Sequence, residues 1–300
     1  QGGRIDLLTG QTATVAGITS VEAGGVVRID GGTLETVSLA KAGGDLFFVA
    51  GELSLTGSTL SIAPTGPLGA NLVLDSPKTL TVAETTIVSD GASLRLEGGS
   101  LASGQLVLDG PGATLTESSG TLDVDELVAT AGATFTIDAG QIVSINNRVT
   151  VDASSTLVLA GGTLNVPEVI DNGGAVDFSA GTLHLSGSDL AVGAGGLLGD
   201  ILTLDASRIL DISGVVTLDA AGAVTIDGGS LSAASIVNNG GAFDLVAGTL
   251  HLTVSDLEID ADGADGSGYA LVWRDAGGVG FLTSGAYGRT VRKSLATALV

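Results

Sequence analysis

The chain has 300 residues, 33 acidic against 11 basic for a formal charge of −22, and is 44% apolar but only 3% aromatic. That charge excludes a nucleic-acid partner, whose phosphates need Lys and Arg, and disfavours anionic membrane surfaces. The lack of Cys removes disulfides, iron–sulfur clusters and zinc–thiolate sites, and no run of eighteen apolar residues exists, so no membrane insertion is expected.

The sequence opens at Gln1, contains no Met and shows no signal peptide, so it reads as a processed product or a segment of a longer precursor. "RIDLLTG" is the first strand-like stretch, and no amphipathic capping helix precedes it. A Gly–Thr/Ser–Leu signature then recurs from Gly32, Gly99, Gly120, Gly162, Gly181, Gly229 and Gly248, with looser versions at Gly51 and Gly140. Most steps are 19 to 22 residues, and two are 48. Longer units begin at Gly31, Gly98, Gly161 and Gly228, spaced by 67, 63 and 67, which fits a super-repeat of about 66 residues holding three sub-repeats of about 22.

Each sub-repeat alternates apolar with small or polar residues at period two, as in "TLVL", "AVTID" and "SLRLE", and Gly-Gly, Asp-Gly and Asn-Gly pairs supply turns. Short strands joined by tight turns at this period predict an all-β, single-chain parallel β-helix, or β-solenoid, with three faces. Residues 1–263 form about twelve coils, and 264–300 are a non-repeat segment. Leu34 and its equivalents point inward and stack, the preceding Thr faces outward as a hydroxyl ladder, and Asn172 and Asn239 belong to an inner polar ladder at a corner.

"GGTLETV", "GGSLASG" and the later copies read as scaffold. The stretch from Gly173 to Leu190 is nearly rewritten from Gly240 to Leu257, and each copy carries one of the chain's two histidines. At a coil spacing of about 4.8 Å, His184 and His251 stand three coils and roughly 14 Å apart in one column, too far to share a metal. Ser54 and Asp123 hold that column in the other copies. No GxSxG elbow, P-loop or HExxH is present. A glycosidase needs two carboxylates about 5 to 9 Å apart. Asp123, Asp125 and Glu126 are near enough in sequence, yet "DVDEL" reads as outward strand positions, and no enzyme is expected.

Near the end of the repeats, "DLEIDADGADGSG" brings Asp260, Asp262 and Asp265 together between glycines, part of a calcium-loop pattern without the closing Glu. The alternative is an acidic turn; no cofactor is required, and calcium is the one candidate. From Ala264 onward the repeat fails. Residues 1–263 carry 31 acids against 7 bases, and residues 264–300 carry 2 against 4. Tyr269, Trp273, Arg274, Tyr287, Arg289, Arg292 and Lys293 make this segment either a cap on the solenoid or an assembly contact with the acidic body of another copy.

With GTLxL units, Gly-Gly corners and few aromatics, residues 1 to about 262 resemble exported bacterial β-helix proteins, namely autotransporter-associated β-strand repeats and surface proteins with PEP-CTERM sorting signals. The resemblance implies an extracellular or cell-surface protein acting in adhesion, biofilm matrix or surface fibres, although this chain shows no sorting tail or translocator barrel. The expected function is a structural or adhesive solenoid that forms homo-oligomers or head-to-tail fibres. The alternative is a β-helix that binds or processes surface polysaccharide. Thr-x-Thr pairs such as Thr79/Thr81, Thr114/Thr116 and Thr134/Thr136 are too scattered for a flat ice-binding face.

Overall fold

Period-two alternation gives each segment one face that must be covered and one that tolerates water, and the frequent glycines turn the chain before a strand grows long. The computed structural model describes residues 2–259, 271–274, 277–288 and 293–299, and among them the regular structure is entirely β, with no helix. Two compact units divide the chain at residues 179 and 180.

The first unit holds β1 (Arg4–Leu8), β2 (Thr12–Glu22), β3 (Val26–Ala42), β4 (Asp45–Leu55), β5 (Leu60–Ile62), β6 (Asn71–Asp75) and β7 (Lys78–Ser89). It continues through β8 (Ser93–Asp109), β9 (Thr114–Thr130), β10 (Thr134–Asp138), β11 (Ile142–Ser144), β12 (Arg148–Asp152), β13 (Thr156–Val166) and β14 (Glu168–Asn172). β15 (Ala175–Leu185) begins in the first unit and ends in the second. The second unit adds β16 (Leu190–Val192), β17 (Ile201–Asp205), β18 (Arg208–Ile212), β19 (Val215–Leu218), β20 (Ala223–Asn238) and β21 (Ala242–Ile259).

Within each unit these strands pair in parallel, one coil on the next, as the repeat predicts for a β-solenoid. Each coil visits three walls. β8, for example, bends through two corners, giving Ser93–Glu97 to the first wall, Ser100–Ser103 to the second and Gln105–Asp109 to the third.

The second wall carries a column of inward aliphatics. Register links Ala13, Leu34, Leu53, Leu80, Leu101 and Leu122 in turn, and Val143 to Leu164, which makes eight turns in the first unit. Leu183, Leu210, Leu231 and Leu250 continue the pattern in the second unit with four more, so the units contain roughly twelve turns between them. Leu53, Leu80, Leu101 and Leu210 are completely buried, each worth about 1.5–3 kcal/mol of apolar transfer. The two 48-residue steps resolve here into a coil of 27 residues, Leu53 to Leu80 and Leu183 to Leu210, followed by one of 21. The intermediate coils were invisible to the Gly–Thr–Leu signature because Lys78 and Arg208 stand opposite Gly51 and Gly181.

The first wall is built differently, as separate ladders of three strands. β1, β3 and β4 form one, and β6, β8 and β9 form the next. β10 and β13 are joined by the opening residues of β15, where Ala175 N donates to Ser155 O at 3.0 Å and Ser179 Oγ to Leu159 O at 3.1 Å. β17, β20 and β21 form a ladder in the second unit. Among the described residues β6 pairs with β8 alone, β10 with β13 alone and β17 with β20 alone. The middle strand of each ladder carries Gly31, Gly98, Gly161 or Gly228, so the super-repeat is a block of three coils sharing one first-wall ladder. Seams in this wall therefore lie between β4 and β6 and between β9 and β10.

Corners are closed by buried hydroxyls. Thr36 Oγ1 accepts from Thr19 Oγ1 at 2.9 Å and reaches Gly17 O at 2.8 Å, while Thr86 Oγ1 and Ser103 Oγ meet at 3.0 Å. Asn172 and Asn239, expected inside, are exposed. Alternation on β20 turns Ile236 and Asn238 inward and leaves Asn239 outside; Asn238 is the buried amide, accepting from Gly240 N at 3.1 Å and donating to Gly241 O at 3.0 Å. Beyond the solenoid strands, β22 (Leu271–Arg274), β23 (Gly277–Gly288) and β24 (Lys293–Leu299) pair antiparallel.

Candidate functional site

Because the core faces are filled with aliphatics, chemistry-bearing side chains stand on the outer faces, and the second wall gathers several of them. In the first unit the register Ser54–Thr81–Ala102–Asp123 forms one outward column. Small side chains in its middle leave a depression of about 220 Å³ lined by Thr81, Val82, Ala102, Gly104, Asp123 and Asp125, among others. Asp123 and Asp125 alternate with buried Leu122 and Val124, so both carboxylates project to the same exposed side, as the pattern "DVDEL" predicts. Asn146 Nδ2 donates to Asp123 Oδ1 at 2.7 Å and lies 3.3 Å from Asp125 Oδ1, tying the two acids to the following coil. Glu126 turns to the next wall, where it accepts from Gln105 Nε2 at 3.0 Å and pairs with Arg148. Two water-exposed carboxylates beside hydroxyls can accept hydrogen bonds from a polar ligand; a general acid would call for burial instead.

In the second unit the register His184–Asp211–Ser232–His251 confirms that the histidines share a column three coils apart. Sequence reasoning missed Asp211, whose Oδ2 lies 2.8 Å from His184 Nδ1. Its coil is one of the 27-residue pair. Aligning "SGSDLAVGAGGLLGDILTLDASRILDI" with "TGSTLSIAPTGPLGANLVLDSPKTLTV" would have exposed it. Both partners are about one-third to two-fifths exposed, so the pair is a surface contact of small energy.

Glu117 is the other polar group the sequence did not single out. Its register partner is Leu96, which is fully buried, so the carboxyl stands in a core-facing column beside the β9–β10 seam. Its Oε2 is buried and makes no hydrogen bond among the described residues, and burial pushes the carboxyl above the ordinary glutamate range. Six of the seven bases before Gly263 pair with acids; Arg4–Asp6, Arg28–Asp30 and Arg95–Glu97 do so two residues along one strand face.

Asp260, Asp262, Asp265, Tyr269, Arg289 and Arg292 lie outside the described residues. Trp273 and Arg274 fall on β22, Tyr287 on β23, and Lys293 opens β24. Among the described residues no three acidic or histidine side chains come together as a metal site. Comparison with known proteins found no matching family model, no similar curated protein and no similar solved structure.

Proposed function

We propose that the chain is an extracellular structural and adhesive element of a bacterial surface or matrix, whose copies join end to end into fibres. The first coil carries this reading: among the described residues β1 pairs only with β3, and Ile5, Leu8 and Ile18 are exposed. A free parallel edge over an apolar coil is completed by any coil of the same cross-section, and a heterologous contact of that kind repeats into a filament. The strongly acidic outer surface suits a protein that stays soluble until that contact forms.

Electron microscopy of the full chain at rising concentration, with and without residues 264–300, tests it. Filaments that lengthen with concentration and vanish on truncation are expected; single short particles in both samples would overturn the fibre reading. The depression beside Asp123 and Asp125 favours a second reading, contact with surface polysaccharide through its hydroxyls. Glycan binding that survives Asp123→Ala combined with Asp125→Ala would remove that support.

A further inference from the structure

A strand that begins a ladder leaves every second N–H and C=O without a strand partner. In β6, Ala70 O accepts from Ser93 N on the β8 side, so Val73, three residues on, faces the seam. Lys78 Nζ reaches Val73 O at 3.2 Å while held by Asp75 Oδ1 at 2.6 Å, and its side chain is only 14% exposed. In β17, Asp200 O accepts from Ala223 N, so Thr203 faces the other way, and Arg208 Nη1 donates to Thr203 O at 2.7 Å.

The other two blocks use an amide. In β10, Ala133 O accepts from Thr156 N, leaving Asp138 N on the seam side, where it donates to Gln141 Oε1 at 2.6 Å. Gln141 Nε2 crosses the seam to the facing edge and donates to Glu117 O at 3.0 Å. In β1, Leu8 N donates to Gln11 Oε1 at 2.8 Å. Gln11, Lys78, Gln141 and Arg208 are spaced by 67, 63 and 67, the super-repeat itself, and each follows the first strand of its block by three residues.

We infer that these four residues each lay a polar end on the open side of the strand that starts a three-coil block, and that Lys78 and Gln141 act there as edge guards, so that the two seams of the first unit do not accept a strand from a second copy of this chain. The second copy is the fitting occupant because the block pattern repeats. Any copy supplies strands of matching alternation, and Phe47 and Val49 already stand exposed on the β4 side of one seam.

Hydrogen exchange by mass spectrometry on the full chain, over a concentration series, reads both halves of this inference. Gln141→Ala should quicken exchange at residues 134–138 by about tenfold, the size of the one hydrogen bond that Asp138 N loses, and produce concentration-dependent protection at 114–118. Residues 156–160, on the paired side of β10, should not change. Gln141→Glu should behave like the parent at 134–138, since a carboxylate oxygen also accepts from Asp138 N. Unchanged exchange at 134–138 would overturn the inference, and so would faster exchange with no concentration-dependent protection at 114–118. Should Gln141→Ala fail to fold, Lys78→Ala, which removes a donor to Val73 O and frees no N–H, is read by concentration-dependent protection at 45–50 and 71–75, and its absence would overturn the inference. Association at a seam persists without residues 264–300, which separates this outcome from end-to-end fibre growth.

Discussion

The second and first walls of the solenoid are written in the same alternating pattern yet differ in continuity. In the first unit, Leu34, Leu53, Leu80, Leu101 and Leu122 stack coil upon coil in the second wall, each in register with the next. In the first wall, Leu94 and Leu96 sit fully buried in the middle strand of their ladder, but Leu46 and Phe48 of β4 and Leu115 of β9, at seams, are only half-buried. An inward position thus stabilises the fold in proportion to whether the coils on both sides pair there. Alternation alone does not decide it.

The sharpest way to break this comparison is a pair of truncations. Leu80→Ala, in the continuous column, should cost about 3 kcal/mol in urea unfolding, within the range for emptied core sites. Phe48→Ala at the seam should cost less, about 1.5 kcal/mol, because its side chain is already partly open to water. Equal losses would mean that the seam is packed as tightly as the column.

A smaller contrast concerns the corner between those walls. Gly51 has φ +95°, and an added Cβ would stand 2.2 Å from Gly32 O of the coil below. Gly91 has φ +70° with open space around it. Gly51→Ala should therefore destabilise by about 2 kcal/mol or more and Gly91→Ala by about 1 kcal/mol, compared by thermal unfolding.

The smallest effect sharpens the chemistry of the second seam. Glu117 has a carboxyl whose pKa is raised by burial in the folded chain. Such an acid is tolerated while neutral, below the usual glutamate value of about 4.3, and its contribution is lost as pH rises through the higher folded value. Glu117→Leu should raise the melting temperature at neutral pH by about 2 °C, discounted for the half-exposed side chain, and the gain should disappear in acid. A gain that is the same at every pH would show that packing, not charge, sets the effect.

The fold was legible because a stacked coil must repeat its turns and its inward residues, and Gly32-Thr33-Leu34 and its copies spell out both. The histidine column was legible for the same reason, since counting coils between His184 and His251 needs only the repeat. Asp211 was not, because a 27-residue coil moved it off the period. Asn238 and Asn239 show the limit of one residue: adjacent side chains on a strand face opposite ways, so an error of one places an exposed amide in the core.

By itself, the sequence determined the parallel β-solenoid, the column of leucines and the three-coil period, because these follow from side-chain alternation and turn chemistry acting locally and repeating. Only the tertiary structure decided that each period is a separate first-wall ladder, that Gln11, Lys78, Gln141 and Arg208 lie on its edge, and that Glu117 stands half-buried beside a seam. Those depend on which strand pairs with which across 20 or more residues, and strands with one open edge alternate just as strands paired on both sides do.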